Sequence, residues 1–319
     1  LFGLALPPEA AGKVVLSLYV LLLVAGTACL MGAMNAEAPP GPADVGGDRG
    51  RLAPGPLICI PLALLLNGMF FHGYLSYVLA LGPLFLAAGY LVRRRRNPQS
   101  VSVGAIAGAS LLLYLSHLLA YCAWGVVAAL FLCLHRSRRV ALRLAAGFLP
   151  SLALLALYTL QVAGGDGDRR IFYGPHWLAG KLGMLFPTFH VLHAFYPVTD
   201  PGDPWVRRFG EVNLAFAAGA LLACGAGLWL ARRQRPYALP LLAAAALFAL
   251  FLGSPRYLAG NVLPDLRFLL PALWFLLAYV APAVDRRLGA PARRTAWVVG
   301  CLFLAAQAGW LHTHAAAAA

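Results

Sequence analysis

Apolar residues come in long runs along this chain, and most of the runs stop at arginines. Residues 14–33, 74–92, 140–160, 212–230, 266–284 and 295–311 are dominated by Leu, Ala, Val and Phe. Each is close to the roughly 20 residues that an α-helix needs to cross a hydrocarbon core about 30 Å thick. Residues 57–71 and 237–253 are shorter runs, suited to tilted or partly shielded spans. The stretch from Val101 to Leu134 is apolar throughout. As one helix it would extend about 51 Å, well past both faces of the core. It would also put the arginines at 93–96 and 136–143 on opposite sides of the membrane. Two spans, 101–118 and 119–134, turning near His117, keep them on one side. The pattern therefore predicts an all-α, polytopic transmembrane bundle of ten spans, forming a single domain over residues 1–319.

Charge fixes the orientation of these spans. Only 11% of the residues are charged, against roughly 25% in a soluble domain. The net charge of +14 would point to nucleic acid in a soluble protein. Here the positive charge sits in short loops between spans, as the positive-inside rule requires, so nucleic acid is excluded as a partner and membrane lipids take its place. With both ends of the chain outside, Arg49, Arg51 and the clusters at 93–96, 136–143, 232–235 and 286–294 put seventeen of the 25 basic residues inside. Arginine far outnumbers lysine, and Gly, Pro and Ala are abundant. That composition resembles a GC-rich bacterial genome and predicts the inner membrane of a bacterium. The first residue is Leu1 rather than Met, which predicts further chain ahead of it. The six cysteines lie in apolar runs without a CxxC pair, and read as small core hydrophobes.

The other polar groups gather on the outer side. The long loop 161–211 has an aromatic, amphipathic middle, Ile171 to Tyr196, expected to lie at the membrane surface as interfacial helices. It carries Asp166-Gly-Asp168, a carboxylate pair able to hold a divalent metal beside a phosphate, the one cofactor the chain points to. A solvated Gly-rich turn is the favoured reading of the pair, and the metal its rival. His190 and His193 stand at helical i, i+3 spacing, which could place two imidazoles on one face for a ligand; with no third ligand in the sequence, packing or headgroup contact is the favoured reading. Asn67 and His72 lie in the turn after span two, and Ser116-His117 in the turn after span four. A histidine at membrane depth is expensive to bury, which makes it a functional candidate; a hydrogen bond to a freed helix-end carbonyl is the competing reading. Arg256 and Arg267 flank the last outer loop, and Arg267 opens the following span. An arginine there runs against the positive-inside bias. A phosphate held in bidentate fashion would explain it, and so would snorkelling or a local pair with Asp265.

The Asn67-Gly-x-x-x-His72-Gly-Tyr hairpin, the Tyr114-x-Ser-His117 turn and the late Arg267-Phe-x-x-Pro271 resemble features of bacterial polytopic proteins of the GT-C glycosyltransferase type, over most of residues 14–311. The resemblance implies a polyprenyl-phosphate-linked sugar as donor, used on the outer face. Arg267 and Arg256 would meet its phosphate; His117 and the loop with His190 and His193 would line the acceptor side, with Asn67 and His72 nearby. Within the chain itself, Asp166, Asp168 and His117 are the candidates for catalysis. The family's acid normally sits in the first outer loop, and here only Glu9 precedes Lys13. Either that loop lies ahead of Leu1, or the chain is a non-catalytic relative, such as an accessory subunit working with other membrane subunits. A transporter ranks third, because no ionisable group falls clearly at mid-span. Haem has no spacing motif to support it.

Overall fold

The computed structural model describes residues 8–36, 75–163, 171–173, 177–183, 222, 224–232, 236–255, 257–258, 261–262, 266–285, 287, 294–295, 298 and 302. These are almost entirely helical. In chain order they form α1 (Pro8–Asn35), α2 (Leu75–Arg93), a 3-10 turn (Pro98–Ser100), α3 (Val103–Ser116), α4 (Leu118–His135), α5 (Arg138–Ala163), β1 (Ile171–Phe172), α6 (Trp177–Gly183), α7 (Leu239–Gly253), β2 (Tyr257–Leu258), β3 (Asn261–Val262) and α8 (Leu266–Asp285). Residues 224–232 are also helical. Five of these helices, α1, α2, α4, α5 and α8, are long and apolar enough to cross a membrane, as an integral membrane protein requires; α3 and α7 are shorter apolar helices. The runs at 57–71 and 295–311, and the loop at 35–56, lie outside or almost outside the described residues.

Packing begins at α1 and α2. A Cβ on Gly26 would overlap the Gly82 carbonyl, and one on Gly89 would press on Cys29 and Leu30. Small residues thus let the two backbones touch, the usual device where lipid supplies no hydrophobic drive between helices. Residues 26 and 29 face 82 and 89 in the same order, so α1 and α2 run parallel. Helix α8 is the central element, buried along almost its whole length. Trp274 of α8 stacks on Phe85 of α2 with ring centroids 5.9 Å apart. Its indole N–H donates to Thr27 of α1 at 3.2 Å, which satisfies two polar groups where water is absent.

The chain leaves the helical path at His117, which is extended with φ −167° and ψ 123°. Helices α3 and α4 fold back on each other about that residue. Trp124 Nε1 donates to Ser110 Oγ at 2.9 Å, and the Tyr114 and Tyr121 rings meet edge to face at 5.7 Å. In one continuous helix, Ser110 and Trp124 would stand about 21 Å apart. Helix α5 then runs antiparallel to α4, with Tyr121 against Ser151 at 3.0 Å and Trp124 stacked on Phe148 at 5.9 Å. Leu142, Leu149, Leu157 and Leu160 of α5 are more than half exposed. Such a face is out of place in water and at home in lipid. Cys122 and Cys133 also point outward rather than into the core, so only the half-buried Cys29 and the buried Cys224 serve as packing groups among the described cysteines.

Arg93 to Arg96, Arg136, Arg138, Arg139 and Arg143 collect at one end of this bundle, where α2 ends and α5 begins. Arg143 donates to the Gln99 and Val101 carbonyls, the latter at 3.3 Å, and Arg139 reaches Gln99 Oε1 at 3.4 Å. Arg95 lies over the Tyr237 ring, whose hydroxyl meets His135 Nε2 at 2.9 Å. Arg143 therefore belongs to a helix end and not to mid-membrane.

Candidate functional site

The opposite end holds the candidate site, and prolines shape it. In a helix the carbonyl of residue i takes the N–H of residue i+4, and a proline there has none to give. Pro271 deprives the Arg267 carbonyl in this way, and Tyr77, from the first turn of α2, donates its hydroxyl to that oxygen. Pro255 likewise follows Phe251 by four residues. Lys181 of α6, buried to 2% exposure, donates from Nζ to the Phe251 and Ser254 carbonyls at the C-terminus of α7. Its ammonium also stands 5.3 Å from the Phe251 ring centroid. A cation at the negative end of a helix is favourable electrostatically as well as by hydrogen bonding.

Three short strands complete this end. Phe172 of β1 pairs with Tyr257 of β2, and Tyr257 with Val262 of β3, both antiparallel. The expected interfacial helix from Ile171 thus starts as a strand, because the β2–β3 hairpin offers its backbone groups a ladder. Helix α6 follows within the same loop. Ile171, Phe172, Tyr173, Trp177 and Leu178 are all exposed.

Arg267 stands in the first turn of α8 and is buried to 5% exposure. Its Nη1 lies 3.1 Å from Nε2 of His117, across 150 residues of sequence. The Tyr77 ring meets the His117 ring edge-on, with centroids 5.2 Å apart. Nδ1 of His117 accepts the Leu119 N–H at 3.1 Å, so His117 is the N-cap of α4. Arg267 has partners beyond His117, and its Nε is buried with no hydrogen-bond acceptor among the described residues. His117 lies in the turn, outside both helices. Burial first, and the Arg267 charge second, lower its pKa to about 4, which keeps the ring neutral at physiological pH.

Helices α2, α4 and α8 all start here, as the contacts of Tyr77, His117 and Arg267 require. Each contributes the positive end of its dipole and N–H groups without helical acceptors. With Arg267 among them, the place attracts anions.

Of the residues singled out from sequence, the structure brings His117 and Arg267 into contact. Asn67, His72, Asp166, Asp168, His190, His193 and Arg256 lie outside the described residues. Among the described residues no group of three metal-ligating side chains occurs. Tyr77 and Lys181 were not foreseen. The only signal for them is the pair of prolines, which announce that two carbonyls need donors without saying which residues supply them. Compared with protein-family models, characterised proteins and solved structures, the chain matches none significantly.

Proposed function

We propose that this chain is a membrane glycosyltransferase-like protein of GT-C type that holds the phosphate of a polyprenyl-phosphate-linked sugar at the arginine-poor end of its bundle. The observation that carries this reading is the buried guanidinium of Arg267, set beside His117 where three helix N-termini meet. Guanidinium matches phosphate in charge and in its fork of donors, and low dielectric strengthens the pairing. The positive-inside rule applied to the arginine-rich end favours the site end as the outer face, and the composition suits a bacterial inner membrane. The exposed Ile171, Phe172, Tyr173, Trp177 and Leu178 then lie at headgroup depth, within a loop carrying the interfacial helix α6. Ten spans suit the packing too. Two parallel neighbours, α1 and α2, need one return crossing between them, and residues 57–71 supply the apolar length.

The test is transfer or hydrolysis of a labelled polyprenyl-phosphate sugar by the full chain in lipid nanodiscs. Turnover is expected, with Arg267→Ala slower by about 10²-fold, the scale for losing one donor at developing anionic charge. A second reading, a non-catalytic accessory subunit, draws on the exposed leucine face of α5, which is suited to helices of other membrane subunits. Lipid binding without turnover, together with co-purification of a partner along α5, would select it. A transporter is disfavoured because Arg143, Arg267 and Asp285, among the described residues, all stand near helix ends.

A further inference from the structure

His117 has two N–H donors at its ring and, when neutral, one nitrogen able to accept. Leu119 N–H points at Nδ1, and Arg267 Nη1 stands at hydrogen-bond distance from Nε2. A guanidinium only donates, and so does a backbone N–H. A neutral imidazole offers one lone pair in the ring plane, because its other nitrogen carries the proton. Both contacts therefore cannot be hydrogen bonds in the neutral ring, and a second ring proton would remove the remaining acceptor. One contact has to be N–H against N–H. The cap favours a choice between them: Leu119 N–H is otherwise an orphan donor of the first turn of α4, with no helical acceptor. That assigns the ring proton to Nε2 and turns it toward Arg267.

An oxygen anion bridging Nε2 and Nη1 from one side of their 3.1 Å contact resolves the conflict, accepting from both while Nδ1 keeps the cap. We infer that His117 and Arg267 form a two-donor clasp for one oxygen of a phosphate group, in which His117 is a neutral Nε2–H donor. Its place is on the phosphate and not on the acceptor side, and it is not a base, since its one lone pair is occupied by Leu119 N–H. This rests on the reading of the site as a phosphate grip and is independent of whether a sugar is transferred. The phosphate can come from a lipid headgroup or from solution, since both present the same tetrahedral oxyanion.

The test uses the full chain, labelled with 15N-histidine, in phosphatidylcholine nanodiscs. One arm contains phosphatidic acid in the disc; the other has inorganic phosphate in the buffer. His117→Asn assigns the ring signal and serves as the variant, because Asn is among the best N-caps but has no second donor at the depth of Nε2. The expected result is an Nε2–H tautomer for His117. At least one arm should also bind, with affinity about tenfold or more lower in His117→Asn. Binding only with phosphatidic acid identifies a lipid headgroup as the source, and binding in both arms identifies a site open to solution phosphate. An Nδ1–H tautomer, absence of binding in both arms, or equal affinity in the variant would each overturn the clasp. The tautomer is read on the unaltered chain and stands even where the variant fails to fold. Sugar transfer undiminished in His117→Asn would remove the clasp and leave the transferase. Phosphate binding without transfer would do the reverse.

Discussion

At the scale of single residues, the candidate site is held by donors compensating for prolines. Tyr77→Phe leaves the Arg267 carbonyl buried with neither a helical N–H nor a hydroxyl, which costs about 1–3 kcal/mol. In a Pro271→Ala background an N–H becomes available to that oxygen, so the same Tyr77 substitution should cost measurably less. A double-mutant cycle by thermal unfolding in detergent checks this, and equal costs in both backgrounds would remove proline from the explanation. His117 makes a second prediction. Its pKa is lowered to about 4 in the folded chain, against an ordinary value near 6.5. Between those values the unfolded chain binds the proton and the folded one does not. Stability should therefore be full above about pH 6.5 and fall as pH drops toward 4. Arg267 and Tyr77 are the described charged and titratable groups facing the ring. Replacing His117 by Asn should flatten that part of the pH profile.

Among the elements, close backbone approach and paired polar groups fix the helix arrangement. Gly26→Ala forces a methyl into the Gly82 carbonyl, and overpacking of this kind costs about 1–3 kcal/mol. Gly125 has open space around its Cβ position, so Gly125→Ala should instead stabilise α4 by about 0.5–1 kcal/mol. Opposite shifts in melting temperature are the expected readout. Breaking the Ser110–Trp124 hydrogen bond with Ser110→Ala and Trp124→Phe should reveal a coupling near 0.6 kcal/mol, typical between helices in a membrane. These elements were largely legible beforehand. Apolar length alone marks α1, α2, α5, α7 and α8, and the surplus length of residues 101–134 asks for a break, which falls at His117. The strands were not legible, because two-residue strands carry no periodicity. Nor was the meeting of His117 with Arg267. Each looked unusual alone, but their contact depends on how α8 docks against the α3–α4 turn, which no local pattern encodes.

Across the whole molecule, charge and chemistry segregate to opposite ends. Single cysteines at Arg96 and at Leu118, introduced after replacing the native cysteines, should react with a membrane-impermeant maleimide from opposite sides of inverted and right-side-out vesicles. Labelling of both from one side would undo the two-ended picture. The clasp around Arg267 also has a consequence for biogenesis. Tyr77 and His117 precede their partner by 190 and 150 residues, so both are synthesised long before it. Until α8 emerges from the ribosome and inserts, the growing chain carries a hydroxyl and an imidazole at the ends of its helices without their final partner. The start of α2 and the α3–α4 turn are thus completed by a later helix, α8. Ribosome stalling or nonsense mutation before residue 267 would yield a nascent protein whose early spans keep their polar side chains uncommitted, a mark by which membrane quality control could recognise it.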